Sequence, residues 1–175
     1  MKWWPLTWLL VGCTCGTLSP EELNASYEVM PAEPASELAR GVLDSLDDDV
    51  RIVELWIGAD YASVEFVRPS APDRIYSTRY DGLFASEDDD FDPLPMGVDG
   101  RTVGLAKPEI PVARFDELVA RTRGAIDRPL ATFQALRVAA DGERGGPHVI
   151  WVSFDSFREG SASAEYELDG TLRAR

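Results

Sequence analysis

The chain has 175 residues, of which 45% are hydrophobic and 27% charged, a composition typical of a globular protein. It carries 17 Lys and Arg against 31 Asp and Glu, and this net charge of -14 argues against binding to the phosphate backbone of a nucleic acid. Only one histidine is present, which excludes His-rich metal sites.

The first 13 residues, MKWWPLTWLLVGC, have the pattern of an export signal. One lysine precedes a charge-free apolar stretch from Trp3 to Gly12, which is shorter than the roughly 20 residues that a membrane-spanning helix needs. The stretch ends in Leu10-Val11-Gly12-Cys13. This ending resembles the lipobox of bacterial lipoproteins, in which a small residue precedes the cysteine that receives lipid.

The resemblance implies that residues 1–12 are a signal peptide and that Cys13 becomes the lipidated first residue. Several acyl chains on one residue form a stable membrane anchor. In many Gram-negative lipoproteins an aspartate after the cysteine signals inner-membrane retention, and Thr14 stands there instead. The resemblance therefore implies the outer membrane, facing the periplasm. Two alternatives stay open: an ordinary apolar N-terminal strand or helix, and a signal peptide cut after Gly16. The fate of Cys15 is undecided.

Residues 13–35 are predicted to be the lipidated cysteine followed by a flexible tether. Pro20, Pro31 and Pro34 interrupt any periodicity, and Ser, Thr, Glu and Ala dominate the composition. We therefore place the folded part of the chain after residue 35.

The rest of the chain has the features of a diverged internal repeat, with a first unit at 36–84 and a second at 112–175. The matched positions are Ser36 with Asp116, Val64 with Val152, Phe66 with Phe154, and Asp81-Gly82 with Asp169-Gly170. Residues 85–111 between the units form an acidic, Pro- and Gly-rich crossover. A loop of this length is a warning that an element has been missed, and a short strand over 102–105 is the candidate.

Each unit is predicted to be a helix followed by three strands. In the first unit, a helical apolar stripe starts after Ser36, the expected N-cap, and ends near Leu46. The expected strands are 50–57, 61–67 and 75–80 in the first unit and 133–138, 149–154 and 162–168 in the second, where the helix covers 115–126. Ile52 and Leu55 are expected in the core, and 68–73 is expected to be a turn.

This element order predicts an α+β fold of two antiparallel meanders, each packed on one helix. If the two sheets join edge to edge, one broad face carries the helices and the other is open. The order and the terminal Asp-Gly turns resemble the tandem units of PepSY-like and β-lactamase-inhibitor-protein-like envelope proteins. This resemblance implies binding of a protein through the open sheet face, without catalysis.

The sequence offers little for catalysis or metal binding. His148 is the sole imidazole, and the chain has no G-x-S-x-G motif and no C-x-x-C motif. Asp88, Asp90 and Asp92 have the spacing of the first ligands in a calcium loop, but Pro93 stands where such a loop needs glycine. We expect a solvated acidic loop there, with weak calcium binding as the alternative.

Aromatic side chains on the predicted strands are the best candidates for a binding surface. Trp151 alternates with Val152 and Phe154, so it faces away from the helices if those residues face them. Tyr76 and Tyr80 share one face of their strand. Large aromatic residues on an exposed sheet face are typical interface anchors, although burial of both faces is the simpler interpretation of each residue.

Taken together, these features predict a lipid-anchored envelope protein with a non-catalytic domain that binds an envelope protein or peptide. No cofactor is expected, and the membrane is contacted through the lipid on Cys13. Two other classes stay open, a carboxylate-dependent envelope hydrolase and a structural component of an envelope complex.

Overall fold

The structure, a computed structural model, describes residues 33–87, 91–96, 98–141 and 146–173. Within these ranges the chain forms two α-helices, two 3-10 helices (Lys107–Glu109 and Val112–Arg114) and one antiparallel sheet of nine strands, and the predicted α+β class is confirmed. The helices are α1 (Ala35–Asp44) and α2 (Phe115–Ala125). The strands are β1 (Arg51–Ile57), β2 (Ala62–Arg68), β3 (Ala71–Tyr80), β4 (Ala85–Glu87), β5 (Asp92–Pro93), β6 (Leu105–Ala106), β7 (Thr132–Ala140), β8 (His148–Asp155) and β9 (Ala162–Glu167). In the described part of the chain, no helix combines the length and the apolarity needed to cross a membrane.

The sheet consists of two meanders that meet at their first strands. The spatial order is β4-β3-β2-β1-β7-β8-β9, with β5 paired to β3 and β6 paired to β1. Residues 54–57 of β1 pair antiparallel with residues 136–139 of β7. The two strands are about 80 residues apart in sequence, so this pairing is a long-range contact that joins the two halves of the domain.

Both helices lie on one face of the sheet and share one core. Helix α1 packs against β1, β2 and β3, and α2 packs against β8 and against α1. The expected core residues Ile52 and Leu55 are buried in this cluster, as are Val64 and Phe66. The helix face of the sheet was thus correctly inferred from the alternation of apolar residues along the strands.

The two helix starts are tied together, in a way that differs from the prediction. We expected Ser36 to be the N-cap, but α1 begins at Ala35 and its N-cap is Pro34. Ser36 lies in the first turn, where its amide donates to the Asp116 carboxylate at 3.2 Å and its hydroxyl donates to the other oxygen. A carboxylate near the free N–H groups of a helix start is stabilising. Asp116, from the neighbouring helix α2, therefore stabilises the start of α1.

The crossover covers part of the face that was expected to be open. The register shift between Ile52 and Glu54 in β1 turns Val53 away from the helices, and Val67 in β2 faces the same way because it follows the core residue Phe66 in regular alternation. There they form a second cluster with Ile75 and Val103, on which the half-buried side chains of Leu94 and Val98 also pack.

Several strand boundaries in the crossover and before it were wrong in the prediction. The strands β4 and β5 were not predicted, and the short strand expected over 102–105 begins only at Leu105. The turn expected over 68–73 is shorter, because Arg68 pairs directly with Ala71 and β3 starts there. A two-residue loop of Pro69 and Ser70 is enough to connect antiparallel strands.

A pair of helical glycines tests how tightly α1 packs on the sheet. A methyl group on Gly41 would lie 2.2 Å from the Tyr80 ring, whose hydroxyl is fixed by donation to the Gly82 carbonyl at 2.8 Å. Gly124, in α2, has nothing within 4 Å of that position. We expect Gly41→Ala to destabilise the fold by about 1–3 kcal/mol. The control Gly124→Ala should stabilise it by about 0.5–1 kcal/mol, since alanine favours a helix. Urea unfolding measures both, and equal effects would contradict the packing of Tyr80 under α1.

Candidate functional site

A row of seven side chains runs across the sheet on the face opposite the helices. The strand register places one residue of the row on each of the seven strands from β9 to β4, and none on β5 or β6. In spatial order these are Glu165, Trp151, Arg137, Trp56, Ser63, Arg79 and Ser86. Directly paired residues of antiparallel strands point to the same side, so the row forms one continuous surface. We call this row and the residues beside it the open face.

The centre of the open face is a shallow cleft between two tryptophans. It has a volume of about 270 Å³ and is lined by Trp56, Gln134, Ala135, Arg137, Trp151 and Ser153. Both indole rings are half-buried, and Arg137 stands between them in the row. The cleft therefore offers two apolar walls with a cationic side chain between them.

Arg137 is held in place by an acidic residue and an aromatic ring. Its Nε and Nη2 atoms each donate to the Glu54 carboxylate at 2.7 Å, and its guanidinium lies 5.6 Å from the centre of the Trp151 ring. The hydrogen bond to Glu54, with the nearby charge of Glu65, raises the pKa of Arg137 above its ordinary value. Exposed ion pairs contribute only about 0.2–1 kcal/mol to stability, so the main effect of this pair is to orient the guanidinium.

The second tryptophan is fixed by its own hairpin. The Trp56 ring lies over Gly58, and the centre of the Tyr61 ring is 4.7 Å from its own. The Arg79 guanidinium lies 3.7 Å from the centre of the Tyr61 ring on the side of β3. Aromatic and guanidinium groups therefore alternate across the open face, an arrangement that cation–π attraction stabilises.

The three aromatic residues predicted for one binding surface lie on two different faces. Trp151 is on the open face, as its alternation with Val152 indicated. Tyr76 pairs with the core residue Phe66 on the neighbouring strand. Both Tyr76 and Tyr80 pack against the helix-side core. The alternation along β3 showed that the two tyrosines share a face but not which face it was.

Of the three predicted calcium residues, only Asp92 lies in the part of the chain that the structure describes. Asp92 is exposed and pairs with Ile75 in the sheet. Asp88, Asp90 and Cys13 lie outside the described residues. The described ranges contain no group of three His, Cys, Asp or Glu residues that could hold a metal ion.

The sequence did not single out Arg137 or the cleft. Trp56 lies on the predicted strand 50–57, and the alternation of Leu55 and Ile57 places it opposite the core. Arg137 lies beside Trp56 only because β1 pairs with β7, and the sequence carries no local signal for a pairing between such distant segments.

A second cavity, of about 350 Å³, lies between the end of α1 and the segment after β6. Its polar centre is Lys107, whose Nζ donates to the Leu46 carbonyl at 2.8 Å and lies 3.2 Å from Asp48. Leu46 lies two residues beyond the end of α1, so Lys107 holds the chain just after the helix, and this contact accounts for the position of the lysine.

His148, the only imidazole, lies outside the cleft. It is half-buried at the start of β8, where it pairs with Ala140. Burial lowers its pKa below the ordinary 6.5, and the positive charge of Arg51 lowers it further against the opposing effect of Glu109. The folded protein therefore favours the neutral ring.

This pKa shift predicts a loss of stability in mild acid. The contribution of His148 is fully present above its unfolded pKa of 6.5 and is lost as the pH falls through the lower folded value. We expect the free energy of unfolding to fall as the pH decreases below about 6.5, and His148→Gln to remove the histidine part of that fall. A variant that retains the whole decline would show that other groups cause it.

No protein-family model, curated protein or solved structure matches the chain. Its function must therefore be inferred from the chemistry of its own surfaces. The most distinctive of these is the open face, with its two tryptophans and the oriented Arg137.

Proposed function

We propose that the protein is a lipid-anchored component of a bacterial cell envelope, attached through Cys13 in the outer membrane and facing the periplasm. Its folded domain binds an envelope protein or peptide through the open face and catalyses no reaction. The lipobox pattern of residues 10–13 supports the anchor, and the cleft between Trp56 and Trp151 supports the binding role.

The arrangement of Trp56, Arg137 and Trp151 is the observation that carries the binding role. Tryptophan and arginine are the residue types most enriched among those that dominate binding energies at protein interfaces. Here they occur side by side on one sheet face, with the two indole rings half-buried and the exposed guanidinium already oriented by Glu54. A side chain that is fixed before binding loses less conformational entropy on association.

The overall charge of the chain favours a basic partner. Near the cleft, Glu54 is paired with Arg137, and Glu165 and Glu167 on β9 are paired with Arg173, so the preference comes from the excess of acidic residues over the whole chain. The chain as a whole carries a net charge of -14. Such a field accelerates encounter with a positively charged protein or peptide, most strongly at low salt.

The proposal includes a domain built from two related units of one helix and three strands. The turns Asp81-Gly82 and Asp169-Gly170 support this, since both glycines have positive φ, of 92° and 83°. The Asp81 carboxylate accepts the N–H groups of Leu83 and Phe84, and Asp169 accepts that of Thr171. These backbone hydrogen bonds lower the pKa of both carboxyl groups.

Binding through the cleft is tested by photo-cross-linking in cells. We expect a photoreactive phenylalanine analogue in place of the exposed Gln134 to form an adduct with one envelope protein, and the same analogue in place of Ala120, on α2, to form none. Adding Trp151→Ala should abolish the adduct, because loss of a dominant contact weakens binding by about 30-fold or more. The exposed Met96→Ala is the matched control that keeps it. An adduct that survives Trp151→Ala, or unfolding of that variant, would contradict the proposal.

Lipidation is tested separately with the two cysteines. We expect Cys13→Ser to accumulate as an unprocessed precursor without incorporated fatty acid, because the serine offers no thiol for the lipid. Cys15→Ser is the control and should be processed normally. Normal processing of Cys13→Ser would exclude the lipobox and favour cleavage after Gly16.

A further inference from the structure

Three of the most exposed apolar side chains of the domain lie at one end of the sheet. Leu83 and Phe84, in the turn between β3 and β4, are 79% and 74% exposed, and Phe157, between β8 and β9, is fully exposed. The register aligns the end of β3 with the start of β2 and the end of β1. The end of β1 pairs with β7, whose first residues pair with the last residues of β8. The end of β3 and the end of β8 therefore lie at the same end of the sheet, and both turns project from it.

Hydrogen bonds fix the turn that carries Leu83 and Phe84. The Asp81 carboxylate accepts their N–H groups at 3.0 and 2.9 Å, and the Tyr80 hydroxyl donates to the Gly82 carbonyl at 2.8 Å. The Asp81 N–H also donates to the Phe84 carbonyl at 3.3 Å. The two apolar side chains are therefore presented by an ordered turn rather than by a frayed segment.

The turn that carries Phe157 is ordered in a similar way. The Ser156 hydroxyl oxygen accepts the N–H groups of Arg158 and Glu159, both at 3.3 Å, and the Gly160 N–H donates to the Ser156 carbonyl at 2.8 Å. Four strand spacings separate β3 from β8, so the two apolar turns are roughly 20 Å apart. They form two contact points along one line at this end of the sheet.

The described part of the chain begins at the same end. The Glu33 carboxylate lies beside Gly82, 3.2 Å from the position that a methyl group on this glycine would occupy. Glu33 follows Cys13 by 20 residues. The segment that leads back to the lipidation site therefore enters the domain next to Leu83 and Phe84.

We infer that this end of the domain lies on the lipid bilayer, with Leu83, Phe84 and Phe157 in its interfacial region. The inference rests on the proposed lipid anchor at Cys13, which holds the turns at high local concentration near the membrane. Moving apolar and aromatic side chains from water into the membrane interface lowers the free energy of the system.

The charges at this end fit a zwitterionic surface. The Asp81 and Glu159 carboxylates accept hydrogen bonds from backbone N–H groups, and the partner of Glu159 is the N–H of Leu130 at 3.1 Å. The Arg128 guanidinium donates to the Ser161 carbonyl. No cluster of basic residues occurs in the two turns, residues 81–84 and 156–160. The contact therefore depends on apolar insertion and not on attraction to anionic lipid.

The test uses the lipidated protein in phosphatidylcholine vesicles, with an environment-sensitive fluorophore on a single introduced cysteine. The labelled variants are Phe84→Cys, Phe157→Cys and the control Met96→Cys, all carrying Cys15→Ser so that no other thiol reacts. Met96 is fully exposed and follows β5, away from the two turns. We expect emission at positions 84 and 157 to shift to shorter wavelength on reconstitution and to be quenched by lipid-borne quenchers, with no change at position 96.

The outcomes separate this inference from the anchor. Protein that floats with the vesicles while the labels at 84 and 157 report water overturns the inference and leaves the lipid anchor standing. Protein that does not float with the vesicles overturns both. A shift already present without vesicles overturns the inference as well, because it shows that another copy of the protein covers these turns.

Discussion

The antiparallel pairing of β1 with β7 is the contact on which the rest of the structure depends. It makes one sheet from two meanders, and so allows both helices to share a single core on one side. The same pairing places Arg137 beside Trp56 on the other side. Neither meander contains the cleft by itself, because Trp56 belongs to the first and Trp151 to the second. The candidate site and the hydrophobic core therefore arise from the same long-range contact, and a change that separates the two strands would remove both.

A bulge in β1 and the crossover decide how much of the second sheet face remains accessible. The register shift after Ile52 turns Val53 away from the helices, where regular alternation in β2 also places Val67. Apolar side chains exposed there need cover, which the crossover supplies through Val103 and its neighbours. The cover ends before the row that contains Trp56 and Trp151. A face that would otherwise be uniform is thus divided into a covered apolar part and an accessible part with aromatic and charged residues.

The local elements of this fold were predictable from the sequence, whereas their mutual arrangement was not. The alternation in β2 and β8 correctly indicated that Val64 and Val152 face the core, because a half-buried strand repeats every two residues. The same rule failed to place Tyr76 and Tyr80, since alternation divides a strand into two faces without identifying the buried one. The position of Val53 under the crossover depends on the bulge in β1, which leaves no periodic signal. The cleft depends on the pairing of β1 with β7, which only the folded chain reveals.

The positions of the open face and the exposed turns have a joint consequence for the kind of partner the protein can bind. Trp56 lies one residue before the end of β1, so the cleft is roughly 10 Å from the tips of the turns at that end of the sheet. If those turns rest on lipid, the sheet stands upright on the membrane and the cleft opens sideways just above the headgroups. A partner reaching it must itself lie close to the membrane, through a lipid, a membrane-spanning segment or a peripheral surface. If the cleft binds a partner as proposed, the net charge of -14 favours a basic one, because like charges oppose the encounter with an acidic segment.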